Sequence, residues 1–156
     1  MNAVEIMRRL RQADGDLADI QGDIDRYMDI ATNASPQLGD KGYGHGGGEK
    51  DKTAAYAVEL ARLKEALTRR AQEQEAEKAA VCKLIGMLPP TVRGVLHHYY
   101  VMGETLAEAS QRLRYSYGYT RKIKADGMRM AAEIDEGEAA ALLPGWYVER
   151  ADEGTD

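Results

Sequence analysis

The sequence has no phenylalanine, one tryptophan and one cysteine among its 156 residues. With nine tyrosines as the remaining aromatic residues, it has few large side chains for a globular core, which favours an elongated helical protein. The lone Cys82 excludes a disulfide within the chain and leaves no paired Cys/His spacing for structural zinc. Charges interrupt the N-terminal segment, so it is expected to be neither a signal peptide nor a membrane span. We therefore expect a protein of the reducing cytoplasm.

Charge is distributed unevenly along the chain, whose formal net charge is −5. Residues 88–132 carry seven basic and three acidic residues, whereas residues 133–156 carry one basic and eight acidic residues. A basic unit beside an acidic segment is typical of nucleic-acid-binding proteins. Net acidity therefore does not exclude DNA as a partner.

The N-terminal part has the apolar spacing of a coiled-coil helix. From Ile6 to Ala31 apolar residues recur at alternating steps of four and three, which is a heptad pattern. Ser35-Pro36 is expected to end this helix, because the residue before proline avoids helical dihedrals. Residues 39–50 contain six glycines and predict a flexible turn without regular structure.

A second long helix is expected from Asp51 to Met87, and with the first it predicts an antiparallel hairpin that pairs with another copy. Three polar residues fall on its apolar seam, so that stretch either faces water or forms a polar layer that fixes register. These residues are Arg70, Gln74 and Glu77.

A different unit begins where the Leu88-Pro89-Pro90 sequence ends the second helix. A short helix is expected from Pro90 to Val101, then a turn, and then a helix over residues 106–113 that begins with the capping box Thr105 to Glu108. Ser116 is a good N-cap for a basic helix from Tyr117 to Ile134. This order of helices is typical of a helix-turn-helix domain.

The basic helix carries the candidate DNA-reading face at its N-terminal end. Thr120, Ile123, Gly127 and Met130 share the face expected to point to the core, and the opposite face is polar and basic. Arginine is the commonest reader of guanine, and lysine and tyrosine serve bases or phosphates. Charge alone would favour a merely solvated face, but the caps and the tight turn favour DNA. The predicted DNA-binding residues are Arg114, Ser116, Tyr117, Gly118, Arg121, Lys122 and Lys124.

The stretch from Leu88 to Met130, LPPTVRGVLHHYYVMGETLAEASQRLRYSYGYTRKIKADGMRM, resembles region 4 of the sigma-70 family. A long helix, a glycine-rich break before Asp51-Lys52 and a second long helix are similar to phage and prophage proteins grouped with the RinA/ArpU-like late-gene regulators. The resemblance implies late-gene promoters as targets and contact with host RNA polymerase. The chain departs from the family pattern at Gly94, His98, Ala109-Ser110, Arg114 (in place of the turn glycine), Thr120 and Gly127.

Other kinds of site have little support. His97 and His98 are adjacent, so they point in different directions and cannot form the i, i+4 pair that binds metal. The aspartates of the first helix lack the spacing of a calcium loop. No catalytic constellation is visible, and we expect no enzyme activity, cofactor or metal.

The sequence thus predicts an all-α protein with a helical hairpin that forms homo-oligomers over residues 1–87, a helix-turn-helix over 88–134 and an acidic tail over 135–156. The predicted function is a phage or prophage transcription regulator that binds double-stranded DNA. The alternative is a phage assembly or DNA-packaging adaptor, similar to a small terminase subunit, with a degenerate helix-turn-helix.

Two interpretations of the acidic tail are open. It is either disordered and solubilising, or it competes with DNA for the basic residues while Trp146 and Tyr147 anchor it on the domain. Its first part could prolong the basic helix toward Leu143, and Pro144-Gly145 would end any helix.

Overall fold

The computed structural model describes residues 1–40 and 46–153, and it is all-α. Helices α1 (Ala3–Asp40) and α2 (Gly46–Gly86) pack antiparallel as the predicted hairpin. The shorter helices that follow are α3 (Pro90–Leu96), a π-helical turn (His97–Val101), α4 (Leu106–Leu113), α5 (Tyr117–Ala132), α6 (Glu136–Ala140) and α7 (Gly145–Glu153). Within the described ranges, no helix combines the length and hydropathy needed to cross a membrane.

The ends of the two long helices differ from the prediction. The expectation that Ser35-Pro36 ends the first helix is wrong, since α1 continues to Asp40. An internal proline removes one backbone donor, but it makes a helix boundary only probable. Helix α2 begins at Gly46 rather than near Asp51, because glycine weakens a helix without forbidding helical dihedrals. The central residues 41–45 of the predicted turn lie outside the described residues.

The chain divides into two compact units, and one of them is Gly15–Ala71. The apolar seam of this unit includes the buried side chains of Ile24 and Leu63. The rings of Tyr27 and Tyr56 meet edge to face with centroids 6.0 Å apart. Arg70, only 7% exposed, donates from Nε to Oδ2 of Asp16 at 3.0 Å. At this seam position a buried arginine therefore pairs with a half-exposed aspartate.

The other compact unit consists of Met1–Asp14 and the chain from Gln72 onward. Its apolar core joins the N-terminal turns of α1 to the end of α2 and to α3, through Ile6, Met7, Leu10, Val81, Leu84, Val92, Val95 and Leu96. This division differs from the boundary at residue 88 that the proline pair indicates. The reason is that the first turns of α1 bury their apolar face in the same core as α3.

Glu77 is the centre of a buried polar cluster in this second unit. Its side chain is fully buried, accepts a hydrogen bond from Arg9 Nε at 3.0 Å and accepts another from the Tyr147 hydroxyl. Arg9 Nε also lies 2.7 Å from the Tyr147 oxygen. Burial, together with the neighbouring Glu77, raises the pKa of Tyr147 well above its ordinary value. The seam residues were expected either to face water or to form a polar layer. At Glu77 the second interpretation is therefore correct.

The chain after α5 is folded over its described residues, which overturns the first of the two interpretations of the tail, disorder, for that part of it. Asp135 caps α6 by accepting from the backbone N–H of Glu138 at 3.0 Å, so α6 is a separate helix and does not prolong α5. No helix runs through Pro144-Gly145, as expected, and a new helix, α7, begins at Gly145, directly after the proline. Leu143 and Tyr147 are buried, and their burial fixes this segment.

Candidate DNA-binding site

The first helix of the predicted helix-turn-helix changes its hydrogen-bonding pattern half-way. It is α-helical up to Leu96 and π-helical from His97 to Val101, so it spans the predicted range. The π turn ends with the backbone N–H of Met102 donating to the carbonyl of His97 at 3.0 Å. Gly103 follows with a φ of +72°, a left-handed conformation that suits glycine. The sequence did not indicate this π turn, whose hydrogen bonds enclose one residue more than those of an α-helix.

The second and third helices of the predicted helix-turn-helix have the N-caps that the sequence predicts. The Thr105 hydroxyl oxygen accepts from the backbone N–H of Glu108 at 3.1 Å, and α4 covers Leu106–Leu113 as expected. Arg114 ends α4 with a φ of +58°, a conformation that costs most non-glycine residues about 1 kcal/mol. Ser116 then caps α5 by accepting from the backbone N–H of Tyr119 at 3.1 Å. Arg114 thus adopts the left-handed turn at the position where the family pattern has glycine.

Helix α5 packs against α3 through a close backbone approach. Thr120, Ile123 and Gly127 are buried, as predicted for this face. A Cβ atom on Gly127 would lie 2.8 Å from Cδ1 of Leu96, and 3.2 Å from both Cγ of Leu96 and Cβ of Val92. Gly127 therefore sets how closely the two helices approach. In the sequence Gly127 is only a departure from the family pattern, but in the structure it has a packing role.

His98, another departure, belongs to a polar cluster beside the turn. Its Nδ1 lies 2.9 Å from Oε2 of Glu104, and Oε1 of the same carboxylate accepts from Arg112 Nε at 2.7 Å. Glu104 is only 7% exposed. The carbonyl of Glu104 also accepts from Arg11 Nη1 at 2.7 Å, which ties the turn to α1. Sequence reasoning missed this cluster, because Glu104 lies in a turn six residues after His98.

The face predicted to read DNA is open. Tyr117, Gly118, Arg121 and Lys122 are all exposed at the N-terminal end of α5, and Arg114 and Ser116 are exposed in the turn before it. Two further exposed tyrosines, Tyr115 and Tyr119, meet edge to face with ring centroids 5.1 Å apart. They were not among the predicted site residues, although the alternation of tyrosine with other residues in YSYGYT was visible in the sequence.

Lys124 differs from the other predicted residues. It is half-buried, and its Nζ lies 4.3 Å from the centroid of the Tyr99 ring. The guanidinium of Arg11 lies 3.9 Å from the same centroid. Cation–π contacts of this kind stabilise by about 0.5–1 kcal/mol at partly exposed sites. Tyr99 therefore links α1 to α5 through two cations and directs Lys124 away from the open face.

The electrostatics of the site are dominated by cations without acidic partners. In the described part of the chain, no carboxylate lies within ion-pair distance of Arg114, Arg121, Lys122 or Lys124. The hypothesis that the tail competes with DNA for these residues predicts ion pairs between carboxylates of the tail and these cations. Instead, the tail's Glu136 pairs with the N-terminal amine at 3.2 Å, and Tyr147 binds Glu77. Tyr147 anchors the tail, but on Arg9 of α1 and Glu77 of α2 rather than on the helix-turn-helix, and Trp146 is 38% exposed.

The described residues contain no group of three or more His, Cys, Asp or Glu side chains that could hold a metal ion. Cys82 is exposed and forms no disulfide. The exposed N-terminal end of α5, together with the neighbouring basic residues, is therefore the candidate functional site of the described chain.

Comparisons of the chain with protein-family models, with curated proteins and with solved structures find no match.

Proposed function

We propose that this protein is a sequence-specific double-stranded DNA-binding regulator of transcription, with α5 as its recognition helix. The observation that carries the proposal is the open N-terminal end of α5, where Tyr117, Arg121 and Lys122 are exposed and no carboxylate of the described residues pairs with the two cations. A helix-turn-helix presents this part of its recognition helix to base edges in the major groove. The Ser116 cap and the Arg114 turn hold that end in a defined direction.

The resemblance to sigma region 4 supports a narrower version of this proposal. It makes the regulator a phage or prophage protein that acts at late-gene promoters and contacts host RNA polymerase. The N-caps of α4 and α5, and the turn between these helices, are compatible with that resemblance. They support the helix-turn-helix that it implies more than the choice of promoter. A library of random duplexes, from which bound sequences are selected, would identify the target site.

The first test concerns two neighbouring side chains on α5. Arg121→Ala should weaken binding to the selected site by about 1–3 kcal/mol and relax preference at one base pair, as expected for a base reader. Lys122→Ala should weaken all duplexes similarly and lower the salt slope by about one unit, as expected for a phosphate contact. Fluorescence anisotropy at two salt concentrations measures both effects.

The control is Lys83→Ala, which removes an exposed cation from α2 and should leave both quantities unchanged. Unchanged binding in both α5 variants would remove this helix from the interface. The packaging adaptor remains as the competing function, and it predicts weak binding without an enriched sequence, together with ring-like assembly.

The regulator is further proposed to act as a homo-oligomer, since paired recognition helices read two half-sites. In the unit Gly15–Ala71, three large apolar side chains, Met28, Ile30 and Val58, are 48%, 45% and 70% exposed. Covering exposed apolar side chains with another subunit would stabilise an oligomer. The seven-residue periodicity of α1 is compatible with such pairing.

The oligomer is tested on the full chain by sedimentation equilibrium. We expect the wild type to be at least dimeric at micromolar concentration, and Ile30→Glu combined with Val58→Glu to shift it toward monomer, because two charges would then have to be desolvated at the interface. Thr68→Glu, an exposed substitution on α2, serves as the control. A wild type that sediments as a folded monomer would contradict the two-half-site mechanism.

A further inference from the structure

A basic cleft of about 480 Å³ lies beside the recognition helix, on the flank that faces α1. Four cationic side chains line it: Arg8 from α1, and Arg121, Lys124 and Arg129 from α5. Leu106 and Met128 contribute apolar surface to its wall. All of these residues belong to one compact unit. The cleft therefore combines a residue of the hairpin with residues of the helix-turn-helix.

The charges around the cleft are largely uncompensated. Arg129 forms an ion pair with Asp126, but no carboxylate in the described ranges pairs with Arg8, Arg121 or Lys124. Cations gathered around a concave surface reinforce one another's potential and attract anions. Because the walls also include apolar side chains, the potential acts in a region of reduced dielectric. The cleft is thus suited to an anionic group.

The position of the cleft indicates which anion it meets. Arg121 belongs both to the outward face of α5 and to the cleft. A recognition helix in the major groove lies between two phosphate backbones. The side of α5 that leads from Arg121 into the cleft therefore faces one of these backbones. The cations on that flank are complementary in charge to a phosphodiester strand.

We propose that this cleft binds the phosphodiester backbone at one edge of the groove that α5 enters, with Arg8 of the hairpin supplying a phosphate contact. This inference rests on the proposed DNA-binding function. Phosphate contacts set the position of a protein on the duplex and carry no base information. A contact from α1 therefore fixes the angle at which α5 enters the groove.

The test compares Arg8→Ala with Arg69→Ala in the full chain. Arg69 is an exposed arginine of the unit Gly15–Ala71, where it pairs weakly with Glu65 at 3.8 Å, so its replacement makes the same change in net charge away from the cleft. Arg8→Ala should weaken binding about 3- to 10-fold at moderate salt and lower the salt slope by about 0.9, to the same extent for the selected site and for random duplexes. Arg69→Ala should change neither quantity.

Three outcomes separate this inference from the proposed function. A uniform loss with a smaller slope in Arg8→Ala alone supports the phosphate contact. If Arg8→Ala binds like wild type while Arg121→Ala and Lys122→Ala are impaired, the cleft proposal is overturned and the recognition helix stands. If the wild type does not bind duplex DNA, both proposals are overturned. Arg8 is exposed, so thermal melting of the variant should match wild type, which excludes misfolding as the cause of a loss.

Discussion

Replacing Glu77 by alanine should reduce the free energy of unfolding by about 2–4 kcal/mol. The carboxylate is fully buried and receives hydrogen bonds from both Arg9 and Tyr147. Its removal leaves the Tyr147 hydroxyl without its acceptor and leaves the charge of Arg9 without this buried partner. Because Arg9 is partly exposed, water can recover some of the loss. Urea denaturation followed by circular dichroism measures the change.

Two further variants show whether the loss comes from this cluster. Glu75→Ala, on the exposed side of the same helix, should change the stability by less than about 0.5 kcal/mol. Tyr147→Phe removes only the hydroxyl and should cost about 1 kcal/mol. A Glu77→Ala protein that is as stable as Glu75→Ala would mean that the cluster does not support the fold.

The second large effect is expected at Gly127, where alanine should destabilise the protein by about 1–3 kcal/mol. Alanine is the better helix former by about 1 kcal/mol, so helix propensity alone predicts the opposite sign. The added Cβ would lie 2.8 Å from Leu96 Cδ1 and 3.2 Å from Val92 Cβ. Both neighbours are buried, and they have little space to move away.

Gly94→Ala is the matched control for this prediction. Gly94 lies on α3, and its added Cβ would be 3.5 Å from the nearest atom, Cδ2 of Leu113, which is ordinary contact. This variant should be stabilised by up to about 1 kcal/mol. Thermal melting of the two variants gives opposite shifts if the approach of α5 to α3 is as close as described. Equal stabilisation of both would contradict that packing.

Local patterns predicted much of the fold, apart from the end of α1 and the start of α2. The heptad spacing gave the hairpin, and the caps at Thr105 and Ser116 gave α4 to its residue bounds and the start of α5. The buried face of α5 followed from helical periodicity. Signals of this kind depend on residues within a few positions of one another, so they need no knowledge of tertiary packing.

Several parts that the sequence did not predict depend on partners far along the chain. Tyr147 lies 70 residues from Glu77, and no local pattern indicates that an acidic segment will be held by a buried tyrosine. Arg8 was not a candidate, because only the fold brings α1 beside α5. Likewise, the role of Gly127 depends on Leu96 and Val92, which belong to another helix.

The bond between Arg9 and Tyr147 joins positions 138 residues apart, and this separation has a consequence for folding during synthesis. The hydrogen bonds that join Tyr147 to Glu77 and to Arg9 form only after α7 has been synthesised. Contacts between distant segments slow folding, because a long loop must close before they stabilise the chain. The contact of α7 with the first turns of α1 therefore cannot form until nearly the whole of the described chain has been synthesised.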